Sequence, residues 1–174
     1  YIFQDSQRTP QFRQSKNTVQ ACSGYGKERS RNEEYNCSSQ GEIIMRVIVC
    51  ENYEEVSKEA AKLVAGLVNL KPDCILGLAT GSTPVGMYNN LIELYKKGEL
   101  DFSQVKSFNL DEYYPIAKSN ENSYDYFMND VLFKHININK ENVNIPNGEA
   151  KDADKECAEY EEKLNKAGGV DLQI

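Results

Sequence analysis

From Met45 onward, short strand-like runs alternate with segments whose apolar residues recur at helical spacing, and this alternation limits the chain to few architectures. Residues 46–50 (RVIVC) form a β-branched run, expected as a buried strand. Residues 74–79 (CILGLA), 105–110, 143–145 and 170–174 (VDLQI) supply further short strands. Between them, Val56, Ala60, Leu63, Val64 and Leu67 line one side of a helix over 53–70. Val85, Tyr88, Leu91, Ile92 and Tyr95 do the same for a second helix, with Lys96, Lys97 and Gly98 at its end. A third helix carries Tyr124, Phe127, Met128, Val131 and Leu132, and a fourth, over 152–166, carries Cys157, Tyr160 and Leu164. Strands separated by helices and reading as apolar runs predict an α/β, three-layer, Rossmann-like sandwich with a mostly parallel sheet. The last run stops without a cap or turn, so the chain is expected to be truncated, with an open sheet edge prone to aggregation.

Residues 1–44 read as a different material. They are rich in Gln, Ser, Arg and Asn, lack either periodicity, and are expected to be disordered or a translated leader. In the second case Met45 is the natural start, since a strand begins there at once. The codons available to Gln40, Gly41 and Glu42 can also spell a purine-rich ribosome-binding sequence just upstream. The domain boundaries expected are therefore 1–44 and 45–174.

Composition narrows the function. The formal net charge is -7, with 14 Lys+Arg against 22 Asp+Glu from Met45 onward. An acidic body argues against nucleic acid, whose binding rests on neutralising phosphates. A single small phosphate can still be held by backbone amides at a helix start. No apolar run reaches the length of a membrane span, and no signal peptide is visible. The 5 cysteines are scattered with no CxxC pair, which disfavours zinc or disulfide chemistry and fits a cytoplasmic location.

Two motifs sit where a predicted strand ends. In the first, Gly77 to Pro84 (GLATGSTP), Thr83 suits a helix N-cap, Pro84 the first helical position, and Gly81 a tight turn. The hydroxyls of Thr80, Ser82 and Thr83, with free amides beside them, make an anion cradle. An ordinary capped turn would use Thr-Pro as readily, and no nucleotide-binding pattern is matched. In the second, Phe108 to Tyr114 (FNLDEYY), Asp111 and Glu112 follow the next strand. One carboxylate there can act as a general base for a proton beside a carbonyl, although a solvated acidic turn would look the same. Taken together, a cradle after one strand and carboxylates after the next suit a phosphorylated substrate held at one end and deprotonated at the other. His135, the single histidine, is expected to cap or pack at a helix end. The tyrosines and phenylalanines around Tyr113, Tyr114, Tyr124, Tyr126 and Phe127 are expected in the core.

The runs MRVIVCENYEEVSKEAA, LGLATGSTPVGMY, SFNLDEYY, NSYDYFM and NGEAKDADKECAEYEEKL keep order and spacing from Met45 to Ile174. In them the chain resembles the glucosamine-6-phosphate deaminases. The resemblance implies a phosphosugar isomerase/deaminase type of sandwich. It also implies conversion of glucosamine 6-phosphate and water to fructose 6-phosphate and ammonia, in amino-sugar catabolism, classed as a hydrolase. It places the enolisation base at Asp111, with substrate-binding roles for Thr80, Gly81, Ser82, Thr83, Glu112 and Tyr124. Neither cofactor nor metal is implied, the partner is a small sugar phosphate, and the full-length protein is expected to be a homo-oligomer. The family's ring-opening histidine and a phosphate-binding lysine fall beyond Ile174, so the chain alone is expected to be inactive. The alternatives are a 6-phosphogluconolactonase, which more often has arginine where Tyr113 stands, and a non-catalytic sugar-phosphate-binding regulator.

Overall fold

The computed structural model describes residues 3–5, 34–37 and 45–174. The expectation for the remainder of 1–44 lies outside the described residues. Two short strands fall in that stretch, β1 (Phe3–Asp5) and β2 (Glu34–Cys37). Strand β2 pairs antiparallel with β3 (Met45–Ile48).

Helix α1 (Tyr53–Leu70) begins where Asn52 accepts the Glu55 N–H at 3.0 Å, with Glu54 and Glu55 in its first turn. It leads to β4 (Ile75–Leu78), buried throughout, and then to α2 (Val85–Lys96). Next come β5 (Lys106–Asn109), the short β6 (Glu112–Tyr114) and α3 (Tyr124–Val131). Strand β7 (Val143–Asn144), α4 (Ala153–Ala167) and β8 (Leu172–Gln173) complete the chain. Gly168 follows α4 with φ of 100°, a left-handed stop that glycine adopts without strain.

Strands β7, β5, β4 and β8 lie side by side in that order, all parallel. Leu76 and Leu78 of β4 face a core built with Val64 and Val68 of α1, Tyr88 and Leu91 of α2, and Met128 of α3. Ile75 and Phe108 face the other way, against Tyr160 and Leu164 of α4. These are the three layers expected. From β4 the chain steps outward to β5 and β7, then returns through α4 to the far side of β4. The order reverses at β4, and ligands of open α/β sheets bind beyond the carboxyl ends of strands at such a point.

Three local expectations are corrected. The run 46–50 is not a buried strand of the parallel sheet: it pairs with β2, and Val47 and Val49 are exposed. On α1 the buried line is Ser57, Ala61, Val64 and Val68, while Val56 and Leu63 are exposed. The apolar surface of that helix is wider than its contact with the sheet, so periodicity alone placed the stripe one residue off. Helix α2 starts at Val85 with Pro84 at the cap position and no side-chain cap, so Thr83 does not cap it.

Candidate active site

Leu78 of β4 pairs with Asn109 of β5, so the loops that follow these strands emerge side by side at one edge of the sheet. The first loop is Ala79 to Pro84. Gly81 adopts φ of 94°, a left-handed conformation in which a side chain would be strained. Gly81, Ser82 and Thr83 are exposed, and Thr80 is half-buried.

Each strand-end carbonyl here meets a side-chain donor. The Tyr88 hydroxyl donates to the Ala79 carbonyl at 2.6 Å, and Asn109 Nδ2 donates to the Leu78 carbonyl at 3.1 Å. The Tyr160 hydroxyl lies 2.8 Å from the Asn109 carbonyl and 2.9 Å from that of Asn144. Tyr53, at the start of α1, places its hydroxyl 3.2 Å from the Ser82 carbonyl and 3.0 Å from that of Thr83, and accepts the Gly86 N–H at 2.8 Å. Burial pushes the Tyr88 and Tyr160 phenols well above the usual tyrosine range, so both stay protonated and serve as donors. An open groove of about 550 Å³ borders the first loop, lined among the described residues by Tyr53, Ser82, Thr83 and Val85.

In the second loop Leu110 is exposed, Asp111 is half-buried, and Glu112 is buried. Glu112 Oε1 accepts the N–H groups of Tyr113 at 2.9 Å and Tyr124 at 2.8 Å, while Oε2 accepts that of Asp125 at 2.9 Å. A carboxylate at the positive end of α3 satisfies amides that the helix itself cannot pair. Ser123 completes that end by accepting the Tyr126 N–H at 2.9 Å. Glu112 therefore fastens the α3 start beside Asp111, with both of its oxygens turned to backbone.

Tyr124 joins the two loops. Its ring lies 4.9 Å from that of Tyr113, tilted by 41°. Burial first, then a hydrogen bond with Tyr113 and the nearby charge of Asp111, push the Tyr124 phenol above the usual range; a hydrogen bond with Thr80 pulls it partly back. Thr80, Asp111, Tyr113 and Tyr124 thus interact at one place. Chemically the assembly offers exposed amides and hydroxyls for an anion, a carboxylate for proton transfer, and neutral phenols as donors.

Of the sequence-selected residues, Thr80, Asp111 and Tyr124 come together, Gly81, Ser82 and Thr83 form the adjoining open loop, and Glu112 lies beneath. His135 sits in a short 3-10 turn, with Nε2 3.1 Å from the Asp130 carbonyl. Tyr53 and Asn109 were not singled out, and Tyr113 was expected in the core rather than in the site. Tyr113 adjoins the acidic pair and could have been found there. Tyr53, 29 residues before Ser82, leaves no local signal. Among the described residues no cluster of His, Cys, Asp and Glu could hold a metal ion, and no helix is long and apolar enough to cross a membrane.

Residues 51–173 match the family model described as glucosamine-6-phosphate isomerases/6-phosphogluconolactonase. The glucosamine-6-phosphate deaminase of Clostridium botulinum (strain Langeland) is 58% identical over 130 residues, covering 75% of this chain and 53% of that protein. That of Thermoanaerobacter sp. (strain X514) is also 58% identical over 130 residues, covering 75% and 51%. The chain therefore spans about half the length of the curated relatives it matches. A solved monomeric glucosamine-6-phosphate deaminase superposes with a TM-score of 0.70 at 43% identity, covering 71% of this chain and 52% of that one. The 6-phosphogluconolactonase of Thermotoga maritima gives a TM-score of 0.60 at 24% identity, covering 70% and 54%, a likeness of fold alone. The relatives are named deaminases and the family description reads isomerases, so the expected class of hydrolase is corrected to lyase/isomerase.

Proposed function

The chain belongs to the glucosamine-6-phosphate isomerase/6-phosphogluconolactonase family, and from that premise we propose that it supplies the phosphate loop and the enolisation base of a glucosamine-6-phosphate deaminase. The observation that carries this is that the loops after β4 and β5 emerge side by side beyond the strand where the sheet order reverses, with the Tyr124 ring against that of Tyr113 in the second loop.

In this reading the exposed amides and hydroxyls of Gly81, Ser82 and Thr83 hold the phosphate of glucosamine 6-phosphate, with Thr80 on the sugar side. Asp111 removes the proton at C2 of the opened aldose to give an enolamine. A proton returns at C1 to leave an imine at C2, and water adds to that imine so that ammonia leaves and fructose 6-phosphate forms. A base held in place by its surroundings contributes about 10²- to 10⁴-fold. Glu112 keeps the Asp111 loop and the α3 start in register. Tyr124, neutral and hydrogen-bonded to both loops, orients the substrate between phosphate and base.

In a protein of the relatives' full length that carries this chain, Asp111→Asn should lower kcat by about 10²- to 10⁴-fold while leaving KM within a few fold. Exchange of the C2 proton with solvent deuterium should disappear in parallel. Retained exchange would remove Asp111 from the role. The chain by itself is expected to bind the sugar phosphate without turning it over. Hydrolysis of 6-phosphogluconolactone in place of deamination would move the assignment to the other activity in the family description. Three free cysteines among the described residues, Cys50, Cys74 and Cys157, favour a reducing, cytoplasmic setting. On assembly, the resemblance points to a homo-oligomer, whereas the solved deaminase is described as monomeric; sedimentation of the full-length protein decides between them.

A further inference from the structure

The first loop is fixed from outside its own sequence. Three polar groups of the segment Ser82 to Gly86 converge on a single phenol oxygen, that of Tyr53. The Thr83–Pro84 peptide has no N–H, so its carbonyl is its only polar atom, and Tyr53 lies within reach of it. The Ser82 carbonyl turns to the same hydroxyl, and also receives the Val85 N–H at 3.4 Å. In a trans peptide the carbonyl of one residue and the N–H of the next point in opposite directions. Drawing the Ser82 carbonyl toward α1 therefore directs the Thr83 N–H to the opposite side. Gly86, whose own N–H is taken by Tyr53, lets the ring come this close: a Cβ there would stand 2.8 Å from a ring carbon.

We propose that Tyr53 is a positioning residue for the phosphate-holding loop, turning the Ser82 and Thr83 carbonyls toward α1 so that the Thr83 amide is presented to the substrate's phosphate. This rests on the sugar-phosphate reading above. It adds a residue from α1 to a site otherwise built from the loops after β4 and β5, from β6 and from the start of α3. Loop amides bind an anion only when the carbonyls between them face away, and a loop free to turn its peptides would lose affinity before anything else. Tyr53 touches no reacting atom, so its effect belongs to binding of the phosphate end.

The test is a titration of the 174-residue chain and its Tyr53→Phe variant with glucosamine 6-phosphate and with inorganic phosphate, followed by heteronuclear NMR. Phe keeps the ring against Gly86 and removes only the hydroxyl. The expected result is about five- to tenfold weaker binding of both ligands by the variant, and loss of the phosphate-induced shift at the Thr83 amide. Loss of the Thr83 shift with those of Gly81 and Ser82 retained is a readout that a purely structural role would not give. Equal affinity in the two proteins, with the Thr83 shift intact, would overturn the inference and leave the sugar-phosphate reading standing. A wild-type chain that binds neither ligand would overturn both. If the variant does not fold, the wild-type spectrum still decides. Phosphate should shift the Thr83 amide and leave that of Gly86 in place, and the reverse pattern would contradict the proposal.

Discussion

Glu112 accepts three backbone N–H groups while buried from solvent, and such a carboxylate cannot be exchanged for its amide without loss. In Glu112→Gln one oxygen becomes a donor aimed at other donors. Chemical denaturation of the chain should show a loss of about 2–3 kcal/mol. Cys74 is a second buried group with a definite chemistry. Burial first, and then the charge of Asp171, push its thiol up to about 11, so little thiolate exists at neutral pH. Native alkylation at pH 8 should therefore modify Cys50 well before Cys74, and denatured protein should lose that difference. Glu112 stood out in the sequence for its acidic neighbour, and Cys74 opened an apolar run read as a strand. What the sequence could not tell is which carboxylate of the pair turns inward, because that depends on where the start of α3 docks.

Among the elements, every helix and the four strands of the parallel sheet were legible, because continuous apolar runs and helical spacing differ over windows of this length. Helix α1 has the predicted bounds, yet its buried line is rotated by one residue. Val56 and Leu63 belong to an apolar surface that the sheet does not cover. The packing makes this measurable. Leu63→Ala should change stability by no more than about 1 kcal/mol, whereas Leu91→Ala in α2, almost fully buried, should cost about 2–5 kcal/mol. The start of α2 was misjudged for a physical reason of the same kind. Thr-Pro is a local capping signal, but the capping oxygen comes from Tyr53 on another helix. The two candidate loops, 79–84 and 110–114, were legible because each is a run of neighbouring residues that follows a strand. The roles of Tyr53 and Asn109 were not legible, because their hydrogen bonds join residues 29 to 33 positions apart.

On the scale of the whole molecule, the far end of the chain is tied to the start of β4. Asp171 accepts Lys71 Nζ at 2.8 Å and the Ile75 N–H at 2.8 Å, and its own N–H donates to the Ile75 carbonyl at 2.8 Å. The bond from Lys71, then that from Ile75, hold the Asp171 carboxyl below its ordinary range, and Asp171 in turn raises Lys71. With the folded value below the unfolded one, the contribution of Asp171 is complete above its unfolded pKa and drains away as pH falls through the folded one. That of Lys71 is complete below its unfolded pKa and is lost as pH rises through its raised value. The melting temperature of Asp171→Asn should accordingly lie below that of the native chain at neutral pH and converge with it in acid. This clamp holds β8 beside β4. The central claim is that two strand-end loops, 79–84 and 110–114, form one sugar-phosphate site. The direct measurement is an NMR titration of the chain with glucosamine 6-phosphate, following all backbone amides. Shifts at Gly81, Ser82 and Thr83 and at Asp111, Tyr113 and Tyr124, saturating with one midpoint, are the predicted result. Shifts at one loop only, at two different midpoints, or at neither loop would contradict it.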